Sequence, residues 1–280
     1  MRLKEAFSYC LTNRPSWREG KGTATLVINI NHVLAALGDE LEVERITGAT
    51  YVQLQNALLD TGKSNGTVNR ITSVLSTMLT TLQKHGLIEK AVRSPQSLKE
   101  GKGRQSVYTE KQVDALIEAS TWLDNRDAEL FTDCLIFAAK TGCRQGEMLK
   151  LKYTDIDFSE GFLTFRDTKT AENRVLPLTP TLKELLLKRY DNRLDDEEFV
   201  FPTTKDLLLI RLRKVQKMVG IENQELCWHS LRHYAATNLF AKGAALPDVK
   251  DILGHKNTHT TMRYAKSTLE GKTRALNLID

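Results

Sequence analysis

The chain has 280 residues, 41% hydrophobic and 27% charged, with a formal net charge of +5. That length and composition suit two folded domains better than one and exclude a disordered or fibrous chain. The mildly basic balance is compatible with a polyanionic partner without demanding one. The cysteines, Cys10, Cys134, Cys143 and Cys227, form no CxxC pair and no zinc or disulfide spacing. They fit a reducing compartment. The N-terminal segment lacks an apolar signal core, and no stretch approaches the ~20 apolar residues needed to span a bilayer. The expectation is a soluble, cytoplasmic protein with no membrane partner.

To about residue 95 the pattern predicts short helices. Val27, Ile30, Val33, Leu34 and Leu37 recur at helical spacing, and Gly38 follows as a stop. Residues 50–59 read as another helix, ended by Thr61 and Gly62. Ser64 or Asn65 caps the next, which turns Val68, Ile71, Val74, Leu75, Met78, Leu79 and Leu82 inward and stops at Gly86. Residues 93–106 are rich in Pro, Gly and charge and read as a linker. Thr109 and Gln112 then form a T-x-x-Q capping box that opens a new helix. The expected organisation is a helical domain over residues 1–98, a linker over 99–108 and a second domain over 109–280.

Residues 130–139 are apolar all round and predict a buried helix. The pattern then alternates. Ile156 and Phe158, then Phe162, Leu163 and Phe165, then Val175 and Leu176 fit three short antiparallel strands. Residues 159–161 make one turn, and residues 168–173 a longer, polar one. After Pro180 the chain reads as helical to its end. The predicted fold is mainly α, with a small antiparallel β-sheet in the second domain.

Polar islands interrupt that second domain. They are residues 141–147 (TGCRQGE), Lys169 in the polar turn, residues 229–233 (HSLRH), residues 253–255 (LGH), and Tyr264. Taken singly, each reads as ordinary helix-end or turn chemistry. In this order they resemble the tyrosine recombinase, or phage integrase, family. The family pattern is an Arg in TGxRxxE, a Lys on a β-hairpin, HxLRH, LGH, and a Tyr nine residues after that His. His255 and Tyr264 are nine residues apart. The resemblance covers residues 105–280 closely and the first domain more loosely. It implies a two-domain C-shaped clamp around DNA, whose second domain is catalytic.

The resemblance also assigns roles. Arg144 and Arg232 would hold the scissile phosphate through charge-assisted hydrogen bonds. Tyr264 would be the nucleophile. Its phenol, with an ordinary pKa near ~10, needs a base or a strong positive field to attack at neutral pH. His229 is the expected base, Lys169 the acid that protonates the leaving 5′ oxygen, and His255 a phosphate ligand. Arg166 and Arg174 flank the hairpin and could be confused with Lys169. Glu147 and His233 are expected to support the site without doing chemistry. No metal or other cofactor is implied, because no acidic cluster or phosphate-cradling Gly-rich loop is present.

The expected partner is double-stranded DNA carrying attachment core sites, bound by a homotetramer, with an accessory DNA-bending protein as a further candidate. Lys63, Thr67, Asn69 and Arg70 surround the start of a helix in the first domain, a natural place for phosphate contact. Lys102 and Arg104 in the linker could track the backbone. Leu276, Leu278 and Ile279 near the C-terminus are expected to pack on a neighbouring subunit. Many phage integrases carry a further N-terminal domain for arm-type sites. Here the helical layout begins almost at Met1, so arm sites are either not used or are read by chain beyond this sequence. Localisation would follow the DNA, to the nucleoid or to the host cytoplasm if phage-encoded. Kindred readings are a Xer-like resolvase of chromosome or plasmid dimers, a type IB topoisomerase, and a regulator that kept the fold without the chemistry.

Overall fold

The computed structural model describes the chain apart from residues 21, 93, 95–96, 102–105, 124–127, 167–172, 266–272 and 274–280. It forms two compact units, residues 1–103 and 104–280.

The first unit is helical: α1 (Leu3–Asn13), α2 (Pro15–Arg18), α3 (Thr23–Leu37), α4 (Gly48–Asp60) and α5 (Asn65–Lys84). Helix α5 organises it. Val68, Ile71, Leu75, Met78 and Leu82 recur every three or four residues and are fully buried, so they form one inward stripe. They meet Phe7, Ile30, Val33, Tyr51 and Leu54 in a single core. Ser64 is the cap, and its Oγ accepts from the Thr67 amide at 3.4 Å. On α3 the expected stripe is rotated by one position. Leu26 packs partly buried against the core, whereas Val27 is 38% exposed. The spacing 26, 30, 33, 37 keeps one face, and Val27 lies ~100° round from it.

The second unit follows the order α6 (Glu110–Ser120), α7 (Ala128–Thr141), α8 (Gln145–Met148), β1 (Ile156–Asp157), β2 (Phe162–Phe165), β3 (Arg174–Pro177), α9 (Pro180–Asp191), α10 (Lys205–Met218), α11 (Trp228–Ala241), α12 (Leu246–Leu253) and α13 (Thr258–Met262). The capping box at α6 is formed. The Gln112 amide donates to Thr109 Oγ1 at 3.2 Å, and the Thr109 amide to Gln112 Oε1 at 3.0 Å. The sheet is antiparallel in the order β1-β2-β3, with Leu163 opposite both Ile156 and Leu176. Alternation then points Leu163, Phe165, Arg174 and Leu176 inward. Phe137 of α7 packs between Phe165 and Phe201, at 6.3 and 4.9 Å between ring centroids. Gln216 of α10 donates to the Tyr108 hydroxyl at 2.7 Å and to the Leu226 carbonyl at 3.0 Å, which fixes the approach to α11.

The architecture is mainly α with a small antiparallel sheet, as the pattern predicts. It differs after Pro180. Residues 192–204 include Pro202 and leave the helical path, and Phe199 pairs with Lys152 as an isolated β-bridge. Near the end, α13 stops at Met262. Tyr264 lies in the turn that follows, its amide donating to the Thr261 carbonyl at 3.0 Å. Among the described residues, no helix is long and apolar enough to cross a membrane.

Gly142 closes α7 with φ +60°, and a Cβ there would stand 2.8 Å from Leu253 Cδ2 and 3.1 Å from Ala235 Cβ. The αL penalty and the overpacking add. Gly142→Ala should therefore destabilise the chain by about 2–4 kcal/mol in urea unfolding. A loss under 1 kcal/mol would show that the α7–α12 junction relaxes freely.

Candidate active site

Helix α12 ends on Leu253, and Gly254 turns the chain sharply with φ +64°. The last carbonyls of a helix lack intrahelical partners and carry the negative end of its dipole. Here guanidiniums from three separate elements take three of them in succession. Arg174 of β3 donates to Ile252 O at 2.5 Å, Arg232 of α11 to Leu253 O at 2.7 Å, and Arg144 at the start of α8 to Gly254 O at 3.1 Å. Arg232 also donates to Gly142 O at 2.8 Å, tying the end of α7 into the same knot. A Cβ at Gly254 would lie 3.1 Å from Arg174 Cδ, so a side chain there would press on that guanidinium arm.

Glu147 is the anion among these cations and is buried. Its Oε1 accepts from Arg144 at 2.5 Å, and its Oε2 accepts from Arg174 at 2.6 Å and from the Arg144 amide at 2.9 Å. The carboxylate thus caps α8 and bridges two guanidiniums. Burial, with Arg144 and Arg174 close by, brings the Arg232 pKa down to about 10. Burial also lowers that of Arg174, against the pull of Glu147. Both remain cationic near neutral pH. The result is a positive cluster of three guanidiniums around one buried carboxylate.

Tyr264 is half-buried against the small cluster of Ala236, Val249 and Leu253. Its hydroxyl is hydrogen-bonded to His233 Nδ1. The His255 ring stacks on the Tyr264 ring at 6.4 Å and 17°, and His229 stands edge-on to His233 at 4.7 Å. His255 is buried, and its Nδ1 shares a hydrogen bond with Thr261 Oγ1 at 2.9 Å. Burial raises the Tyr264 pKa above that of a free phenol, although Arg263 and Arg232 pull against it. Burial brings both His233 and His255 down to about 4, helped by His229 and Arg263 at the first and by Arg232 and Arg144 at the second. His229 is exposed at the rim, yet loss of water around its ring and the charge of Arg232 still lower its pKa. His233 and His255 are therefore neutral at pH 7.

The structure gathers Arg144, Glu147, His229, Arg232, His233, His255 and Tyr264 into one place. Lys169 and the turn that carries it lie outside the described residues, as do Lys102, Arg104 and the C-terminal Leu276, Leu278 and Ile279. Of the hairpin arginines, Arg166 pairs with Asp155 at 2.6 Å, while Arg174 is buried among the site residues. The sequence pattern assigns no role in the site to Arg174 or Thr261, yet both side chains bond within it. Strand parity would have found Arg174, because it shares a face with the apolar Leu176. In the first unit, Lys63 precedes the cap of α5 and Arg70 is exposed. Thr67 Oγ1 lies 3.0 Å from Ser64 Oγ. Asn69 is committed to its own chain. Its Nδ2 donates to Leu98 O at 2.9 Å and Glu100 Oε1 at 3.1 Å, and its Oδ1 accepts from the Leu98 amide at 2.9 Å. Asn65 adds a bond to Lys99 O at 2.8 Å, so residues 98–100 lie along the start of α5. Among the described residues, no three His, Cys, Asp or Glu side chains gather as a metal-binding group.

The profile of the phage integrase family matches residues 106–270, which include every side chain of this site. The chain belongs to the phage integrase family. Among its relatives, the tyrosine recombinase XerA of Thermococcus kodakarensis is 31% identical over 138 residues, 46% of this chain and 48% of that protein. A tyrosine recombinase XerC-like protein of Caldanaerobacter subterraneus is 26% identical across 86% of this chain and 73% of its own length. Three of the curated relatives are matched over only 42%, 48% and 43% of their lengths. Among solved structures, the Tn1549 transposon integrase in complex with transposon right end DNA has a TM-score of 0.80 at 15% identity, over 100% of this chain and 99% of that one. A lambda integrase dimer bound to a COC′ core site gives 0.78 at 21%, over 96% and 100%. At these identities the likeness is one of fold.

The depressed histidines set a pH dependence. Folded, His233 and His255 titrate near about 4, and an unfolded His titrates near ~6.5. The unfolded chain therefore binds more protons between those values. Stability is fully present above ~6.5 and falls as pH drops toward about 4. Denaturant unfolding at pH 7 and pH 5 should show that loss, and a His233→Gln/His255→Gln double variant should lose clearly less. Equal losses in both proteins would count against neutral, buried imidazoles.

Proposed function

We propose that this chain is a site-specific DNA recombinase, cleaving and rejoining strands through a 3′-phosphotyrosyl link to Tyr264 so as to integrate or excise a mobile element. The observation that carries this reading is a tyrosine hydroxyl held on a histidine, beside a buried guanidinium cluster able to take a phosphate. Family membership supports it, as do the DNA complexes of fold relatives.

In this reading the scissile phosphate enters beside Arg144 and Arg232, and His255 offers it the ring nitrogen not used by Thr261. Tyr264 Oη attacks phosphorus and its proton passes to the His233–His229 pair. The P–O5′ bond breaks, with Lys169 protonating the departing oxygen. The incoming phosphate raises the basicity of the histidines by its charge, which corrects their low resting pKa. The phosphotyrosyl ester keeps the energy of the broken bond, so a 5′ hydroxyl on another strand reverses the attack without ATP. The guanidiniums neutralise the phosphate, so no divalent cation is required. The first unit grips the DNA through Lys63 and Arg70, and exchange between duplexes proceeds in a tetramer. The XerA and XerC-like relatives favour one second reading, a Xer-like resolvase with the same chemistry at a different DNA site.

Nicked duplexes tiling the DNA around the gene, incubated in chelator without ATP, should give a protein–DNA band that survives denaturation. Tyr264→Phe should abolish it. Arg144→Ala and Arg232→Ala should each slow its formation by roughly 10²–10³, the usual cost of removing one preorganised donor. DNA binding without any covalent band would reduce the protein to a regulator. The location of the cut, at an element boundary or at a chromosomal dimer site, separates integrase from resolvase.

A further inference from the structure

Arg174 lies outside the catalytic set expected from the sequence, yet it holds more of the site together than any other side chain on the sheet. It is buried on β3, its guanidinium 4.6 Å from the Phe165 ring centroid. One of its nitrogens takes Ile252 O and another takes Glu147 Oε2. It therefore links three pieces of chain: the β2–β3 hairpin, the carbonyl end of α12, and the carboxylate that steers Arg144. A buried guanidinium costs free energy unless its donors are met. Arg174 Nε is buried with no hydrogen-bond partner. Packing alone would be served better by an apolar side chain, so the charge and fork of this residue need another account.

We infer that Arg174 is a positioning residue for the phosphate site: by holding Glu147 Oε2, it keeps that carboxylate from drawing Arg144 away from the phosphate. This rests on the recombinase reading above. The geometry gives the mechanism. Glu147 presents one oxygen to the Arg144 side chain and the other to Arg174 and the Arg144 amide. Without Arg174, the carboxylate has a single guanidinium partner left. A fork-on-fork pair with Arg144 is then the favoured geometry, and it takes two N–H groups along one edge of the Arg144 guanidinium where the Glu147 carboxylate now takes one. The phosphate would lose a ligand and the pocket a positive charge, though nothing at Tyr264 had changed. Lysine at the same position keeps the charge but can span only one of the two partners.

The test uses single-turnover formation of the Tyr264-linked complex on a nicked duplex bearing the mapped cut site. Two versions of the DNA are compared, one with the natural scissile phosphodiester and one with a charge-neutral methylphosphonate there. Arg174→Met should slow cleavage of the natural DNA by roughly 10²-fold, the scale of one lost preorganised donor. On the methylphosphonate the deficit should shrink to a few-fold, because there is less charge for Arg144 to neutralise. Arg174→Lys should fall between wild type and Met on the natural DNA. Glu147→Gln should abolish most of the Met effect, since the competing carboxylate charge is gone. Equal slowing on both DNAs would mean Arg174 only supports packing and would overturn the inference, as would a Met variant as fast as wild type. A Met variant too unfolded to bind DNA hands the decision to Arg174→Lys, which must show the same selective deficit. Wild type forming no complex on either DNA would instead sink the recombinase reading and this inference with it.

Discussion

The second unit is arranged around one electrostatic fact: the carbonyl end of α12 is left open by Gly254 and must be met by donors. Arg144, Arg174 and Arg232 meet it from α8, β3 and α11. Three like charges in one place repel, and among the described residues Glu147 and the helix dipole offset them. The excess positive potential is therefore built into the fold and exists before any ligand arrives. Preorganised charge of this kind needs no rearrangement when a phosphate binds, which is why it serves catalysis better than flexible surface cations.

Much of this follows from small, local sequence rules. Thr109 and Gln112 cap α6, Ser64 caps α5, and Gly142 ends α7, each for reasons visible in the residue type. The short apolar runs around residues 156–158, 162–165 and 175–176 predict the three antiparallel strands, and their register comes from the structure. The motif residues were legible because they are polar islands in apolar surroundings, and because their order matches a known family. Their mutual contacts were not legible. Nothing in the spacing of HSLRH says that His233, not His229, would bond the Tyr264 hydroxyl. That depends on where α13 ends, and a five-residue helix leaves no periodic signal.

Arg174 shows a different limit. A charged residue beside a polar turn reads as solvated, since most are. Only strand parity, counted from Leu176, puts it indoors. Val27 is the reverse error on a helix, where the apolar residue next to the stripe was counted into it. Asn69 illustrates a third. Its place near a helix start suggested a ligand contact, but the structure spends its amide on residues 98–100. For Arg174 and Val27 the residue type is legible in the sequence and the direction is not, because direction is set by neighbours distant in sequence.

The stack of His255 on Tyr264 turns the nine-residue interval between them into a mechanical dimension. Thr261, inside α13, fixes the His255 ring from below, and Tyr264 leaves the same short helix one turn on. Adding or removing one residue in between would swing the phenol about 100° round the helix axis, away from His233. The interval therefore cannot drift in length, even where the residues that fill it change freely. Across relatives, insertions should crowd the connections between other elements and leave this stretch at constant length. The same holds in the laboratory, where loop grafting or linker scanning through residues 256–263 would cost Tyr264 its place beside His233 before it cost the protein its fold.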